Sequence, residues 1–481
     1  KRRGRQKSRK QLRIPKMSER PNILWYCTDQ QRFDTIGALG NPHVRTPVLD
    51  SLVREGVSFT HTYCQSPICT PSRASFMSGL YPSRVHNTRN GNESFPDRPP
   101  VISKLIAEAG YDCGMIGKFH LQSSGKRTEP RIDDGFRYWK FSHAPRDDWE
   151  EGHDYADWVR ERGGELNALR ESEDRVPTEL HQTTWASERA IEFIREEREE
   201  PWLLNVNVYD PHPPFTPPKS YAEQFDPEKM PGPHFKKSDL DAQAKLADCD
   251  FQDEVRTPEE HDAKGAQARY YAMIAQIDDQ FGRILRTLEE TGQRENTVIV
   301  FTSDHGETLG DHGLMYKGCR FYEGLVRVPL IFSWPAHFQG NKQNEALVEM
   351  MDLSASLLEL AGVELPDYFQ GKSLLPILSG ESDGASHREF VRCEYFDALD
   401  AHFTGGSGTY ATMHRTNRYK LCVYHGKGVG ELFDLEKDPW EHENLWDDPD
   451  HTGLKNQLLA ESFDAHVLLT TDVGSRRIAP M

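Results

Sequence analysis

The sequence predicts an α/β fold, a large mixed, mostly parallel sheet between helices, followed by a smaller C-terminal α+β unit. Three observations predict it. From Pro21 onward, short β-prone apolar runs alternate with longer segments of helical periodicity. The runs are almost continuously apolar, as in strands covered on both faces. After about residue 385 the texture changes to short β-prone runs ending in one helical segment.

In chain order, the expected strands are residues 23–28, 57–63, 111–116, 202–209, 297–302 and 328–332. Between them, 46–55, 102–109, 179–199 and 267–290 carry apolar residues three and four apart and read as helices. Gly110 and Gly292 follow two of these as stop signals. Residues 125–178 and 211–263 are charged, Pro-rich and poorly periodic, and are expected to be long loops over one face of the sheet, where selectivity usually resides. Beyond 385, strands are expected at 389–395, 408–414 and 419–424, and a helix at 454–466. The expected organisation is a basic leader over 1–16, a large domain over 17–384 and a small α+β subdomain over 385–481.

The leader holds nine positive charges, no acid and no apolar core, so it cannot act as a secretory signal. It reads as a solvated disordered tail, an extension upstream of a natural start at Met17, or, as the rival reading, a nucleic-acid arm whose binding would be lost on its deletion. The net charge is −18 over 481 residues and −27 without those sixteen, which argues against nucleic acid or an anionic membrane as a broad partner. No run approaches the roughly 20 apolar residues of a membrane span. The eight cysteines contain no CxxC pair, so neither a disulfide framework nor a zinc ribbon is expected, and a reducing cytoplasm is the simplest compartment.

The strongest chemical signal is Cys69-Thr70-Pro71-Ser72-Arg73, continued by Ala74-Ser75-Phe76-Met77-Ser78-Gly79. Pro71 suits the first turn of a helix and Thr70 a cap, which would put Cys69 just outside a helix N-terminus, a position that favours anions. Read alone, such a cysteine is a buried residue before an ordinary helix. The whole run, however, resembles the signature of the sulfatase family of the alkaline phosphatase superfamily, C-x-P-S-R followed by a small-residue helix. The resemblance implies an alkaline phosphatase-like fold and conversion of Cys69 to formylglycine by a formylglycine-generating enzyme. It implies hydrolysis of sulfate monoesters to alcohol and sulfate. Hydrated formylglycine offers a second hydroxyl whose deprotonation expels sulfate, which a serine could not do.

An anionic sulfate needs a cation, and oxygen-rich ligands suit calcium or magnesium. Asp29-Gln30 and Asp304-His305 each follow an expected strand, where open α/β sheets place their ligands. Alone, either dipeptide is an ordinary turn or cap. The resemblance implies that Asp29, Gln30, Cys69, Asp304 and His305 hold one divalent metal. Gln30 departs from the aspartate many relatives carry and lowers the site's charge, so Mn2+ or Mg2+ stays open beside the expected Ca2+.

Lys118 and His120 follow the third expected strand, His212 the fourth, and Lys317 lies twelve residues beyond His305. Singly, each would be structural or solvated. By resemblance, Arg73 holds the formylglycine hydroxyl, Lys118 touches that hydroxyl and the sulfate, and His120 is the base that breaks down the sulfoenzyme. His212 is the acid near the leaving oxygen, and Lys317 binds sulfate and assists departure.

The nearest rival is a phosphonate monoester or phosphodiester hydrolase of the same superfamily, which shares the Asp-Gln pair but resembles Tyr-x-Thr where this chain has Lys118-Phe119-His120. Asn90 is spaced from Cys69 like a substrate-contacting asparagine of those enzymes. A non-catalytic binder of sulfated glycans is the rival from another class, and the full set of reactive residues argues against it. His86, Asn87 and Arg89 read equally as site rim or ordinary loop. The sulfated substrate, whether carbohydrate, aryl or alkyl, is set by features the motifs do not encode, and an oligomer stays open.

Overall fold

The computed structural model describes residues 20–96, 99–124, 128–147, 152–172, 175–399 and 408–471. The basic leader lies outside the described residues. Nine strands form one sheet: β1 (Asn22–Thr28), β2 (Val57–Tyr63), β3 (Asp112–Gly117), β4 (Tyr138–Phe141), β5 (Trp202–Asn207), β6 (Thr297–Ser303), β7 (Arg327–Val328), β8 (Leu330–Ser333) and β9 (Lys342–Glu349). Their order is β4-β3-β5-β1-β6-β8-β2-β7, with β9 also paired to β2. The left half, from β4 to β6, is parallel throughout, and β8 then runs antiparallel to both β6 and β2.

Alternation along β1 shows why its apolar run is continuous. Ile23, Trp25 and Cys27 enter one core and Leu24 and Tyr26 the other. The first core is covered by the helices Cys69–Ser78 and Met350–Leu360, the second by Pro47–Glu55, Gln182–Arg195 and Ala263–Glu290. Burying each such side chain contributes roughly 1.5–3 kcal/mol, which outweighs the local preferences of individual residues.

Several expectations are corrected. The stretches 125–178 and 211–263 are not plain loops. The first supplies β4 and the helices Asp154–Glu161 and Leu166–Glu171, the second the short helices Lys219–Ala222 and Ser238–Ala244. The helix expected over 179–199 spans only Gln182–Arg195, and the strand expected over 202–209 ends at Asn207.

The C-terminal part is a four-stranded antiparallel sheet, β10 (Val391–Phe396), β11 (Tyr410–Arg415), β12 (Tyr419–Tyr424) and β13 (Val429–Asp434), backed by the helix Thr452–Thr470. Cys393, Tyr395, Met413 and Tyr424 join the first core of the large sheet. Two buried charge centres fasten this part. Lys420 Nζ lies 2.7 Å from carboxylates of both Glu323 and Glu441 and donates to the Phe321 carbonyl at 2.8 Å. Arg388 reaches Glu349 at 3.0 Å and also pairs with Asp352. No helix among the described residues is long and apolar enough to cross a membrane.

Candidate active site

The site begins with register. β1 and β6 are parallel neighbours whose last rung pairs Thr28 with Ser303, so Asp29 and Asp304 leave adjacent strands side by side. Both are fully buried. Asp304 Oδ1 accepts the backbone N–H of Gln30 at 3.0 Å and of His305 at 2.9 Å, while Oδ2 accepts Arg73 Nε at 2.9 Å. Asp29 pairs with Lys118. Burial and the neighbouring Cys69 oppose ionisation of Asp29, yet Lys118, His212 and Lys317 hold it at about 2.

Cys69 is the first residue of the helix Cys69–Ser78, not a residue ahead of it, and the cap position belongs to Ile68, which offers no side-chain acceptor. Thr70 is therefore inside the helix. Its free N–H is instead accepted by Asn90 Oδ1 at 3.0 Å, which gives Asn90 a capping role that the sequence reading did not anticipate.

Positive groups converge on the sulfur. Cys69 Sγ lies 2.9 Å from Lys317 Nζ, 3.6 Å from Lys118 Nζ, 3.2 Å from His305 Nε2 and 3.7 Å from Asp29 Oδ1. Burial alone would raise this thiol, but Lys118, Lys317 and His305 drive it well below its ordinary range. The position is built to carry negative charge. One ligand atom from each of Asp29, Cys69, Asp304 and His305 lies within 4.8 Å of the others, which makes this a candidate metal-binding cluster. His305 Nδ1 faces the Gly306 carbonyl at 2.8 Å, so Nδ1 carries the hydrogen and Nε2 points inward.

Lys118 reaches the sulfur because β3 ends in Gly117. That residue has φ +95°, and a Cβ there would meet the Asn207 carbonyl oxygen at 1.9 Å. The Lys118 carbonyl accepts Arg73 Nη1 at 2.7 Å, and its ammonium sits 5.5 Å from the Tyr209 ring centre. His120 follows in a left-handed conformation, φ +56°. Its loop is gathered by the buried Glu129, whose carboxylate accepts the N–H groups of His120, Leu121 and Gln122 at 2.6, 2.6 and 2.9 Å. Burial, then Lys118, lowers the His120 imidazole to about 4, so it is neutral near pH 7. His143 packs edge-on against it, ring centres 4.4 Å apart.

His212 Nδ1 faces the Pro213 carbonyl at 2.6 Å and therefore carries the hydrogen, leaving Nε2 free for the site. Burial and then Lys317 lower its pKa. On the other side, Lys317 donates to Gln30 Oε1 at 2.8 Å, and Gln30 Nε2 donates to Glu307, which also accepts the Leu309 N–H at 3.0 Å. Gln30 itself has φ +71°.

All ten catalytic and metal-ligand candidates named from the sequence are thus brought together around Sγ or its immediate partners. Two rim candidates are structural: buried Asn87 donates to the Leu121 carbonyl at 2.8 Å, and Arg89 pairs with Asp397. Glu129, Glu307, Asn207 and Tyr209 were missed. Each is a single residue outside any motif, and only Asn207 and Tyr209 carried a hint, at the end of an expected strand.

A family model described as sulfatase matches residues 21–363, and one described as N-sulphoglucosamine sulphohydrolase, C-terminal, matches residues 310–466. An arylsulfatase of Clostridium perfringens is 30% identical over 452 residues, 89% of this chain and 90% of its own length. A multifunctional alkaline phosphatase superfamily protein, PehA, of Trinickia caryophylli is 30% identical over 491 residues, 90% of this chain and 93% of its own length. Among solved structures, the phosphonate monoester hydrolase of Agrobacterium radiobacter superposes with a TM-score of 0.80 at 26% identity, covering 93% of this chain and 96% of its own.

Proposed function

The chain belongs to the sulfatase family and is a sulfuric ester hydrolase, and on that premise we propose that it cleaves sulfate monoesters through formylglycine made from Cys69, with one divalent cation. The observation that carries this reading is the convergence of two lysines and a histidine on Sγ within 3.6 Å. Such a pocket favours whatever anion is placed at its centre.

The donor set fits a hard cation. Asp29 and Asp304 supply carboxylates, Gln30 an amide oxygen, residue 69 an oxygen once oxidised, and His305 Nε2 completes the set. Ca2+ is our first assignment, with Mn2+ or Mg2+ favoured if the neutral Gln30 and the imidazole decide. When bound, the cation supplies charge that neutralises the sulfate and acidifies a neighbouring hydroxyl. Formylglycine, when formed, supplies a geminal diol, of which one hydroxyl displaces the alcohol from sulfur and the other, once deprotonated, releases sulfate and restores the aldehyde.

The chain's own residues do the rest. Arg73 spans Asp304 and the Lys118 carbonyl and so fixes the helix start against both strands. Lys118 and Lys317 bracket the sulfate. His120, neutral and held by Glu129, accepts the diol proton. His212 Nε2 delivers a proton to the leaving alcohol oxygen. Burial first and then the Lys317 charge keep this imidazole low; the arriving sulfate offsets the second of these and so shifts the balance toward the protonated form. Residues 17–384 form the catalytic domain in this reading and 385–481 a supporting subdomain. Eight buried free cysteines fit a reducing compartment such as the cytoplasm.

A second reading, phosphonate monoester or phosphodiester hydrolysis, is favoured by the Asp29-Gln30 pair and the 26% identical neighbour. Lys118 and His120 speak for the sulfate monoester. Two measurements decide: the mass of the peptide containing Cys69, expected to show aldehyde in place of thiol after expression with a generating enzyme, and paired assays on nitrophenyl sulfate and a nitrophenyl phosphodiester. An unmodified thiol in fully active protein overturns the nucleophile. A higher kcat/KM on the phosphodiester overturns the substrate class.

A further inference from the structure

Away from the sulfate site, three segments distant in sequence bring Asp239, His312 and His442 together. Asp239 lies on the helix Ser238–Ala244, His312 in the turn Gly310–Gly313 ahead of Lys317, and His442 in the chain that follows β13. We propose that these three residues hold a divalent ion of the zinc type, a second metal centre that fastens the C-terminal sheet to the segment carrying Lys317.

Distances support it. His442 Nδ1 lies 3.1 Å from both oxygens of Asp239, His312 Nδ1 lies 3.6 Å from Asp239 Oδ2, and a ligand atom from each residue falls within 4.8 Å of the others. A tetrahedral ion with bonds of about 2.0–2.2 Å separates neighbouring ligands by roughly 3.4 Å, close to these spacings. Two imidazole nitrogens and one carboxylate select zinc and its neighbours over calcium or magnesium, so the centre differs in kind from the oxygen-rich sulfate site.

Charge supports it as well. Asp239 is 2% exposed, and its ion-pair partners among the described residues are the two imidazoles. A divalent ion among the three ligand atoms would add positive charge beside that buried carboxylate. The ligands are held in place beforehand. The Lys236 N–H donates to Asp239 Oδ2 at 2.7 Å. His312 has φ +56°, a conformation unusual outside glycine, and its ring stacks 3.7 Å from that of Tyr322. Tyr322 is in turn fixed by hydrogen bonds to Gln243 at 2.7 Å and Glu431 at 2.9 Å. Orienting partners of this sort are characteristic of metal centres. The competing account is an aspartate hydrogen-bonded to two histidines with no ion.

The test uses the full chain loaded with Zn2+ and desalted. Anomalous diffraction recorded on both sides of the zinc edge is expected to place a peak among the three ligand atoms. Elemental analysis is expected to find one zinc fewer per chain in His442→Ala and in Asp239→Asn than in the unsubstituted protein, and the rise of Tm with added Zn2+ is expected to vanish in both. Asp239→Asn keeps an acceptor for the Lys236 N–H, and the Tm of each variant without added Zn2+ checks that its fold is spared. Equal zinc content in all three proteins, or no anomalous peak at the three atoms of the unsubstituted chain, overturns the proposal. Failure of the sulfate-site assignment would instead remove the other ion and leave the difference of one unchanged.

Discussion

Two buried charged regions of this molecule make opposite use of their charges. Around Lys420, one ammonium faces Glu323 and Glu441 at 2.7 Å each, and Glu323 also meets Arg327 at 3.2 Å and the Tyr63 hydroxyl at 2.8 Å. Every charge there has a nearby opposite. Despite burial, Lys420 and its neighbouring arginines hold Glu323 low, while burial pushes Glu441 up to about 7. Around Cys69, by contrast, Lys118, Lys317 and His305 all face one small atom, and two aspartates only partly offset them. Closed pairing leaves each buried charge compensated. Convergence stores electrostatic potential for an anion that is not part of the fold.

The comparison can be broken from either side. Cys69→Ala should lower kcat/KM by about four orders of magnitude or more, with Tm nearly unchanged, measured by nitrophenyl sulfate turnover beside thermal unfolding. Large destabilisation in place of inactivity would mean that Cys69 is structural. Lys420→Met leaves the buried Glu441 carboxylate without its cation and Glu323 with Arg327 alone, and should cost about 3–5 kcal/mol in denaturant unfolding, with turnover per folded molecule preserved. Lys317→Met should show the reverse, a fall in kcat of about 100- to 1000-fold with stability held or raised. If both lysine variants lose stability alike, the contrast fails.

Two smaller effects sharpen it. Asn90→Ala removes the acceptor for the Thr70 N–H and should cost about 1 kcal/mol; a change in KM without a change in stability would return Asn90 to the substrate. The last concerns Asp278, whose carboxylate accepts the N–H groups of Val48 at 3.0 Å and Leu49 at 2.7 Å. Burial pushes it up to about 7 from an ordinary 3.8. The folded state thus binds this proton more tightly than the unfolded chain. Its contribution is full below about pH 4 and is lost as pH rises through about 7. Asp278→Asn should flatten the decline of Tm between pH 5 and 8, and an unchanged slope would exclude Asp278 as its source.

What could be read from the sequence follows the same division. Strands such as β1 and β6 were legible because both faces are buried and their apolar runs are unbroken. β4 and β9, with sequences YWKF and KQNEALVE, lie at the margins of the sheet, only partly buried, and carry no such run. The helix Cys69–Ser78 is buried at all ten positions, so no amphipathic period marks it, and only its motif revealed it. Within the site, residues in local motifs or just beyond strands were found. Glu129 and Glu307 were not, because what they do, accepting backbone N–H groups that the fold brings to them, leaves no trace in spacing.

The shared last rung of β1 and β6 also has a consequence for the order of assembly. Asp29 and Cys69 are synthesised early, but Asp304, His305 and Lys317 lie beyond residue 300, and β6 must insert between β1 and β8 before the two carboxylates can meet. The candidate site is therefore incomplete in a nascent chain until Lys317 has been made. Cys69 is 1% exposed once the sheet closes, so on the proposed formylglycine chemistry a modifying enzyme would meet it before closure. Ribosome speed and sheet closure together would then set the fraction of molecules that mature.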